Sequence, residues 1–223
     1  LHIPSHSFPT RRSSELWPEF LTNYQRAYAT VSNPIFDHTL PFIEKFFEKD
    51  WHLIGEEKSE GTADSLGASL AIDVLAKMPT DKPWQISFNT IASHIPFYGY
   101  PSDFAEKPDD AMVRYRNAVR YTDKQLGRFF DSLSKRPDFK NTVVIVLGDH
   151  DTPVDSIDYW VPQPLGLSAS QIFIGIFSAD SDLFNGHTVR EDVASQLDLG
   201  PTIFDLAQVR EPNHFWGYDL LAQ

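Results

Sequence analysis

The sequence predicts an α/β protein, a mostly parallel β-sheet with helices packed on its faces. Three observations carry that prediction. Val143–Leu147 and the run within Gln171–Ser178 are continuously apolar, as in strands buried on both faces. Asp110–Lys135 repeats apolar residues at helical spacing. Helical and strand-like segments also alternate along the chain, the order from which parallel sheets are built.

The elements follow in order. Leu16–Ala27 reads as a short helix, and Asn33-Pro34 punctuates the chain after it. Thr39–Glu48 reads as a helix with Leu40, Ile43, Phe46 and Phe47 on one side. Glu56–Asp64 is polar and contains glycine, which predicts a loop. Ser65–Met78 is helical, with Leu66, Leu70, Val74 and Leu75 in step and Pro79 beyond its end. Trp84–Ile91 is strand-like, and a polar, proline-rich stretch covers Pro96 to Asp109. In the long helix, Tyr115, Val119, Leu126, Phe129, Phe130 and Leu133 form the predicted inward stripe. Gly200–Ala207 is a short helix with Pro201 in its first turn. No repeat, heptad or low-complexity tract interrupts the pattern.

Composition narrows the function classes. Nineteen basic and 31 acidic residues give a net charge of −12, which argues against a non-specific nucleic-acid or polyphosphate binder. A local cationic or metal-containing pocket for an anion stays compatible with that charge. With no cysteine, the chain has no disulfide, no thiolate zinc site and no cysteine nucleophile of its own. No apolar run approaches the roughly 20 residues of a membrane helix.

The N-terminus is unusual. The chain opens on Leu1, and Phe8–Leu16 resembles a translated sequencing-adapter read-through. Residues 1–16 are therefore set aside as a non-native leader or a disordered tail. The expectation that follows is a fold truncated at its N-terminal side, with residues 17–223 as the carboxyl-terminal portion of one larger domain.

Two motifs carry chemistry. Val143–Leu147 runs directly into Gly148-Asp149-His150-Asp151, and ligands of open α/β sheets bind outside the carboxyl ends of strands. An adjacent carboxylate and imidazole suit a divalent metal; a plain strand-ending turn is the alternative. Trp84–Thr90 leads into Ile91-Ala92-Ser93-His94-Ile95-Pro96-Phe97 in the same way. His94 could hydrogen-bond an anion or serve as a general acid, or it could simply bond the backbone of its own loop.

The order of Ser93–Phe97, the helix Tyr115–Leu133, Lys140–Asp151, Ala194–Ala207 and Gly217–Leu221 resembles the alkaline phosphatase–sulfatase superfamily. The His-x-Pro-Phe form around His94 is closest to lipoteichoic acid synthase-like phosphoglycerol transferases. The resemblance implies an alkaline phosphatase-like fold and a metal-dependent phosphoglycerol or phosphodiester transferase. It implies that Asp149 and His150 hold a divalent metal, manganese or magnesium, or calcium in a true sulfatase. It implies that His94 meets the substrate's anionic phosphate- or sulfate-ester group. It places the nucleophile, with a further acidic ligand, upstream of these residues, so the isolated chain is expected to be inactive. It also implies an extracytoplasmic domain at the cell membrane, tethered by upstream helices.

Some positions depart from the family pattern. Asp151 stands where a glycine is usual, and an additional carboxylate could join the metal shell or face solvent. No arginine near Asn33–Asp37 matches the family's phosphate-holding one, and Ser59 and Thr62 are assigned no role. A sulfatase-type ester hydrolase and a catalytically inactive module are the alternative readings. Among the remaining polar residues, His38, Asp155 and Asp158 read as surface, and His187 and His214 as loop residues. Asp198 reads as a helix cap or local acceptor, and Phe215 and Trp216 as packing residues.

Overall fold

A computed structural model describes residues 17–31, 40–47, 52–54, 63–107, 109–150, 172–180, 182–184, 189, 193–210 and 215–222. Residues 1–16, Asn33–Asp37, His38, Ser59, Thr62, Asp151, Asp155, Asp158, His187 and His214 lie outside that set.

Helix α1 (Trp17–Phe20) is one turn, and β1 (Gln25–Thr30) follows almost at once. This corrects the helix expected over Leu16–Ala27. The Gln-Arg-Ala-Tyr-Ala-Thr run has helix-forming residues, yet its side chains alternate between two packed layers. Ala27 and Ala29 face one side, against Val74 and Met78 and against Ala71, Leu75, Phe129 and Leu133. Tyr28 packs with Ile43, Phe46 and Phe47. The alanines are small because helices lie close above them, and that tertiary packing overrides local propensity.

Helix α2 (Leu40–Phe46) and β2 (His52–Ile54) come next, then α3 (Ala63–Lys77) and β3 (Trp84–Phe88). Strands β2, β1 and β3 form a parallel sheet in that order, with Tyr28 opposite His52 and Ser87. Helix α2 covers one face; α3 and α4 (Ala111–Leu133) cover the other. The α/β architecture with a parallel sheet is therefore as predicted.

Helix α4 begins where the sequence places it, because the Asp110 carboxylate accepts the Val113 N–H at 2.9 Å as an N-cap. Its buried face is rotated from the expected stripe. Val113, Asn117, Ala118, Tyr121, Gln125, Phe129 and Leu133 are buried, whereas Val119 is 42% exposed. The buried polar residues Asn117 and Gln125 explain why apolar spacing alone misplaced the stripe.

Arg136 and Asp138 lock the ends of three elements together. Arg136 donates to the Leu75, Met78 and Pro79 carbonyls, which satisfies orphan acceptors at the end of α3. It also pairs with Asp138 at 2.8 Å, and Asp138 accepts the Trp84 indole N–H at 2.8 Å. The Arg136 bonds, followed by the Trp84 bond, hold the Asp138 carboxyl below the ordinary aspartate range despite its burial.

Strands β4 (Val143–Leu147) and β5 (Ile174–Ser178) pair antiparallel, with Ile145 opposite Ile176. Their side chains are half-buried or exposed, not buried on both faces as the apolar runs predict. Helix α5 (Leu199–Leu206) is the last described α-helix, with Phe204 packed against Phe20 and Phe215. Phe215 is thus a packing residue as expected, whereas Trp216 is 89% exposed and is not. No helix among the described residues is long and apolar enough to cross a membrane.

Candidate functional site

Both predicted motifs leave the carboxyl ends of strands. The structure brings Asp149 and His150 together after β4 and places His94 on the loop after β3, a strand of the other sheet.

After β4, Gly148 donates its N–H to the Phe173 carbonyl at 3.0 Å and ends the pairing with β5. Asp149 and His150 then emerge into solvent. The His150 Nε2 lies 3.6 Å from Asp149 Oδ2, and Asp149 Oδ1 accepts the His150 N–H at 3.1 Å. One oxygen thus fixes the local backbone while the other faces the imidazole. Gln196 donates through Nε2 to the Gly148 and Asp149 carbonyls, at 3.0 and 2.8 Å.

Gln196 is itself rigidly placed. Ser195 and Asp198 form a reciprocal capping box around it, with the Ser195 hydroxyl accepting the Leu197 N–H at 3.2 Å. Asp198 accepts the Tyr218 N–H at 2.8 Å and the Ser195 N–H at 2.6 Å. The Tyr218 bond above all, supported by Ser195, depresses the Asp198 carboxyl against the opposing effect of burial. Asp198 is therefore the local acceptor the sequence suggested. Its spacing from Ser195 was a legible cap signature, but nothing in the sequence tied the intervening Gln196 to Gly148 and Asp149.

A carboxylate oxygen beside an imidazole nitrogen is a donor set suited to manganese, magnesium or zinc. As a metal site it would supply two ligands. Among the described residues, no group of three or more His, Asp or Glu side chains converges for a metal.

His94 sits on the loop after β3. Its Nδ1 lies 2.8 Å from the Ile95 carbonyl oxygen, so the backbone bond allowed for in the sequence is present. A carbonyl can only accept, so Nδ1 carries the hydrogen and Nε2 is left for other chemistry. The imidazole is exposed, but the loop beneath it is buried in α4. Ala92, Phe97 and Tyr100 pack with Ala118 and Tyr121, and the Phe97 ring meets Tyr115 edge-on. Phe97 has φ 68°, an uncommon conformation for a bulky residue that its packing holds in place. A Cβ on Gly99 would lie 2.3 Å from the Ala92 Cα, so only glycine permits this return of the chain.

Sequence reasoning missed Asp64. Expected at the end of a polar loop, it is instead in the first turn of α3 and 1% exposed. Its carboxylate accepts the Ile91 and Ala92 N–H groups.

The parallel α/β architecture described above is shared by solved structures that include a member of the alkaline phosphatase superfamily. Two solved structures share the fold. A lipoteichoic acid synthase, LtaP from Listeria monocytogenes, aligns with TM-score 0.71 at 20% identity, covering 92% of this chain and 55% of that one. A protein in the alkaline phosphatase superfamily from Vibrio parahaemolyticus aligns with TM-score 0.61 at 25% identity, covering 90% and 48%. The sulfatase family model matches residues 7–209, and the chain belongs to the sulfatase family. Among curated relatives, lipoteichoic acid synthase of Staphylococcus saprophyticus is 26% identical over 198 residues. Lipoteichoic acid synthase 2 of Bacillus subtilis is 26% identical over 195 residues. Each alignment covers 81% of this chain and 29% of the relative, so the chain spans about three tenths of their length.

Proposed function

We propose that the chain contributes part of the active site of a metal-dependent transferase acting on phosphoglycerol or related phosphodiester groups. The observation that carries the reading is the Asp149–His150 pair, held at the carboxyl end of β4 with its side chains 3.6 Å apart. The lipoteichoic acid synthase relatives support the substrate class.

In this reading Asp149 and His150 hold a divalent cation, manganese or magnesium. When bound there, such a cation would supply charge neutralisation of an ester oxygen and a lowered pKa for a nucleophilic hydroxyl. This reading assigns the nucleophile to none of Asp149, His150 and His94. His94 keeps Nδ1 on the Ile95 carbonyl and turns Nε2 to the substrate anion. In its protonated form Nε2–H steadies the anion or passes a proton to the departing alkoxide. An extracytoplasmic position at the membrane belongs to the same proposal. The family match favours sulfate esters as the second reading.

Titration with Mn²⁺, followed by paramagnetic broadening of the His150 ring signals, tests the pair. Binding is expected to be weak, because these residues supply only part of a ligand set, and to vanish in Asp149→Ala. Sub-micromolar affinity that survives Asp149→Ala would sink the assignment. The chain alone is expected to turn over neither a phosphodiester nor a sulfate ester; metal-dependent hydrolysis of either would place the nucleophile within it.

A further inference from the structure

Asp64 is a carboxylate buried to 1% exposure, a placement that costs free energy unless its oxygens are hydrogen-bonded. A side chain in the first turn of a helix ordinarily serves that helix's own N–H groups. Asp64 instead bonds outside α3. Oδ1 accepts the Ile91 N–H at 2.6 Å and the Ala92 N–H at 3.0 Å. Oδ2 accepts the Thr122 hydroxyl of α4 at 2.6 Å. The Ile91 carbonyl in turn accepts the His94 N–H at 2.9 Å, and the His94 carbonyl accepts the Phe97 N–H at 2.8 Å. Ile91 therefore gives its N–H to Asp64 and its carbonyl to His94. From Thr122 through Asp64 and Ile91, a continuous set of hydrogen bonds ends at the backbone of the exposed imidazole.

The α3 backbone closes on the same loop, since a Cβ on Gly67 would stand 3.6 Å from the Asn89 carbonyl oxygen. Aspartate supplies what an apolar residue of equal depth could not, two oxygens aimed at two adjacent loop N–H groups and a helix hydroxyl.

We infer that Asp64 is a positioning residue, which fixes where the His94 imidazole meets the substrate anion by clamping the Ile91–His94 turn. The inference rests on the proposed role of His94 and adds the residue that enforces it. Site residues held only by their own loop are loose by distances that matter to binding, and a buried supporting shell removes that freedom.

The test uses the 223-residue chain with ¹⁵N-labelled histidine and glycerol phosphate as probe, in the presence of Mg²⁺, which is diamagnetic and leaves the histidine signals readable. In Asp64→Ala the His94 Nδ1–H signal is expected to broaden through exchange with water. Affinity for glycerol phosphate is expected to fall about tenfold, the scale on which outer partners of site residues act. The double variant Asp64→Ala/His94→Ala should bind no more weakly than His94→Ala alone. Asp64→Asn keeps an oxygen for the two loop N–H groups and should restore most of the affinity. Thr122→Val leaves the carboxylate in place and provides the same comparison, with a smaller loss, should Asp64→Ala fail to fold. Additive losses in the double variant, or His94 signals unchanged in both Asp64→Ala and Thr122→Val, would overturn the positioning role. If His94→Ala binds the probe as tightly as the parent chain, the reading of His94 itself falls, and the positioning role with it.

Discussion

His94 leaves β3 on a loop that neighbouring elements hold from several sides, whereas Asp149 and His150 leave β4 on an exposed turn whose carbonyls accept from Gln196. The first loop is clamped by Asp64 from α3, by the Phe97–Tyr115 contact with α4, and by the close passage of Gly99 over Ala92. The second rises from β4 and β5, which among the described residues form a two-stranded ribbon, an arrangement of marginal stability by itself. Its side chains Phe173 and Phe177 are 62% and 42% exposed. Among the described residues, Val144 of the ribbon packs against the Leu133 cluster and Phe177 meets the Phe130 ring. The position of His94 is thus written into the hydrophobic core. The position of the Asp149–His150 pair depends on polar contacts that can be removed without disturbing that core.

The largest expected effect comes from testing the two foundations directly. Leu133 is fully buried where α3, α4 and β1 converge, so Leu133→Ala should cost about 2–5 kcal/mol from lost transfer energy and cavity formation. Phe177→Ala, on the ribbon, should cost only about 1 kcal/mol, the scale of its aromatic contact with Phe130. Urea unfolding of both variants measures the difference. Equal losses would mean that the ribbon is as much a part of the core as α4, and the contrast would be broken.

A smaller effect sharpens the same contrast through pH. The Asp138 carboxyl is held below its ordinary value of 3.8, first by Arg136 and then by Trp84. Between the depressed folded-state pKa and 3.8 the unfolded chain therefore binds more protons than the folded one. The stabilisation is complete above 3.8, declines as pH falls and is gone below the folded-state value. At neutral pH, Asp138→Asn should be less stable by about 1.5–3 kcal/mol, typical of hydrogen bonds to charged groups. That gap should close on acidification. A gap that stays constant with pH would show that geometry, not charge, ties α3 to β3 and α4.

The parts of the fold that could be read in the sequence are those where one local signal dominates. The span of α4 was legible because Asp110 caps it and apolar spacing runs its length. Strands β4 and β5 were legible as apolar runs, and the Gly148-Asp149-His150 turn followed from them. Strand β1 was not, because its alanines carry helix propensity and only the closeness of α3 makes them strand residues. The antiparallel, half-exposed pairing of β4 was not legible either, since an apolar run announces a strand without naming its partner. In the candidate site, His94, Asp149 and His150 stood out as chemistry-bearing side chains at strand ends. Asp64 and Gln196 did not, because the loop and turn they hold offer them backbone groups, 27 and 48 residues away. A backbone N–H or carbonyl has no residue type, so no motif records it.

Gln196 provides the smallest expected effect on stability and the most selective one on the site. Its side chain is exposed, and its two bonds go to carbonyls that water can reach. Water replaces most of what Gln196→Ala removes, so unfolding free energy should change by less than about 1 kcal/mol. Metal binding has no such substitute. Without Nε2 the Gly148 and Asp149 carbonyls can rotate, and with them the backbone that sets the Asp149 carboxylate against the His150 ring. Mn²⁺ affinity should fall about tenfold, as it does when outer partners of ligands are lost. Titrating Mn²⁺ into Gln196→Ala and following the His150 ring measures this at unchanged stability. The His94 ring signals should not move, because its loop draws its order from Asp64 and α4. Unchanged Mn²⁺ affinity would show that the turn after β4 holds its own shape. The pair would then be as well founded as His94, by backbone conformation where His94 relies on packing.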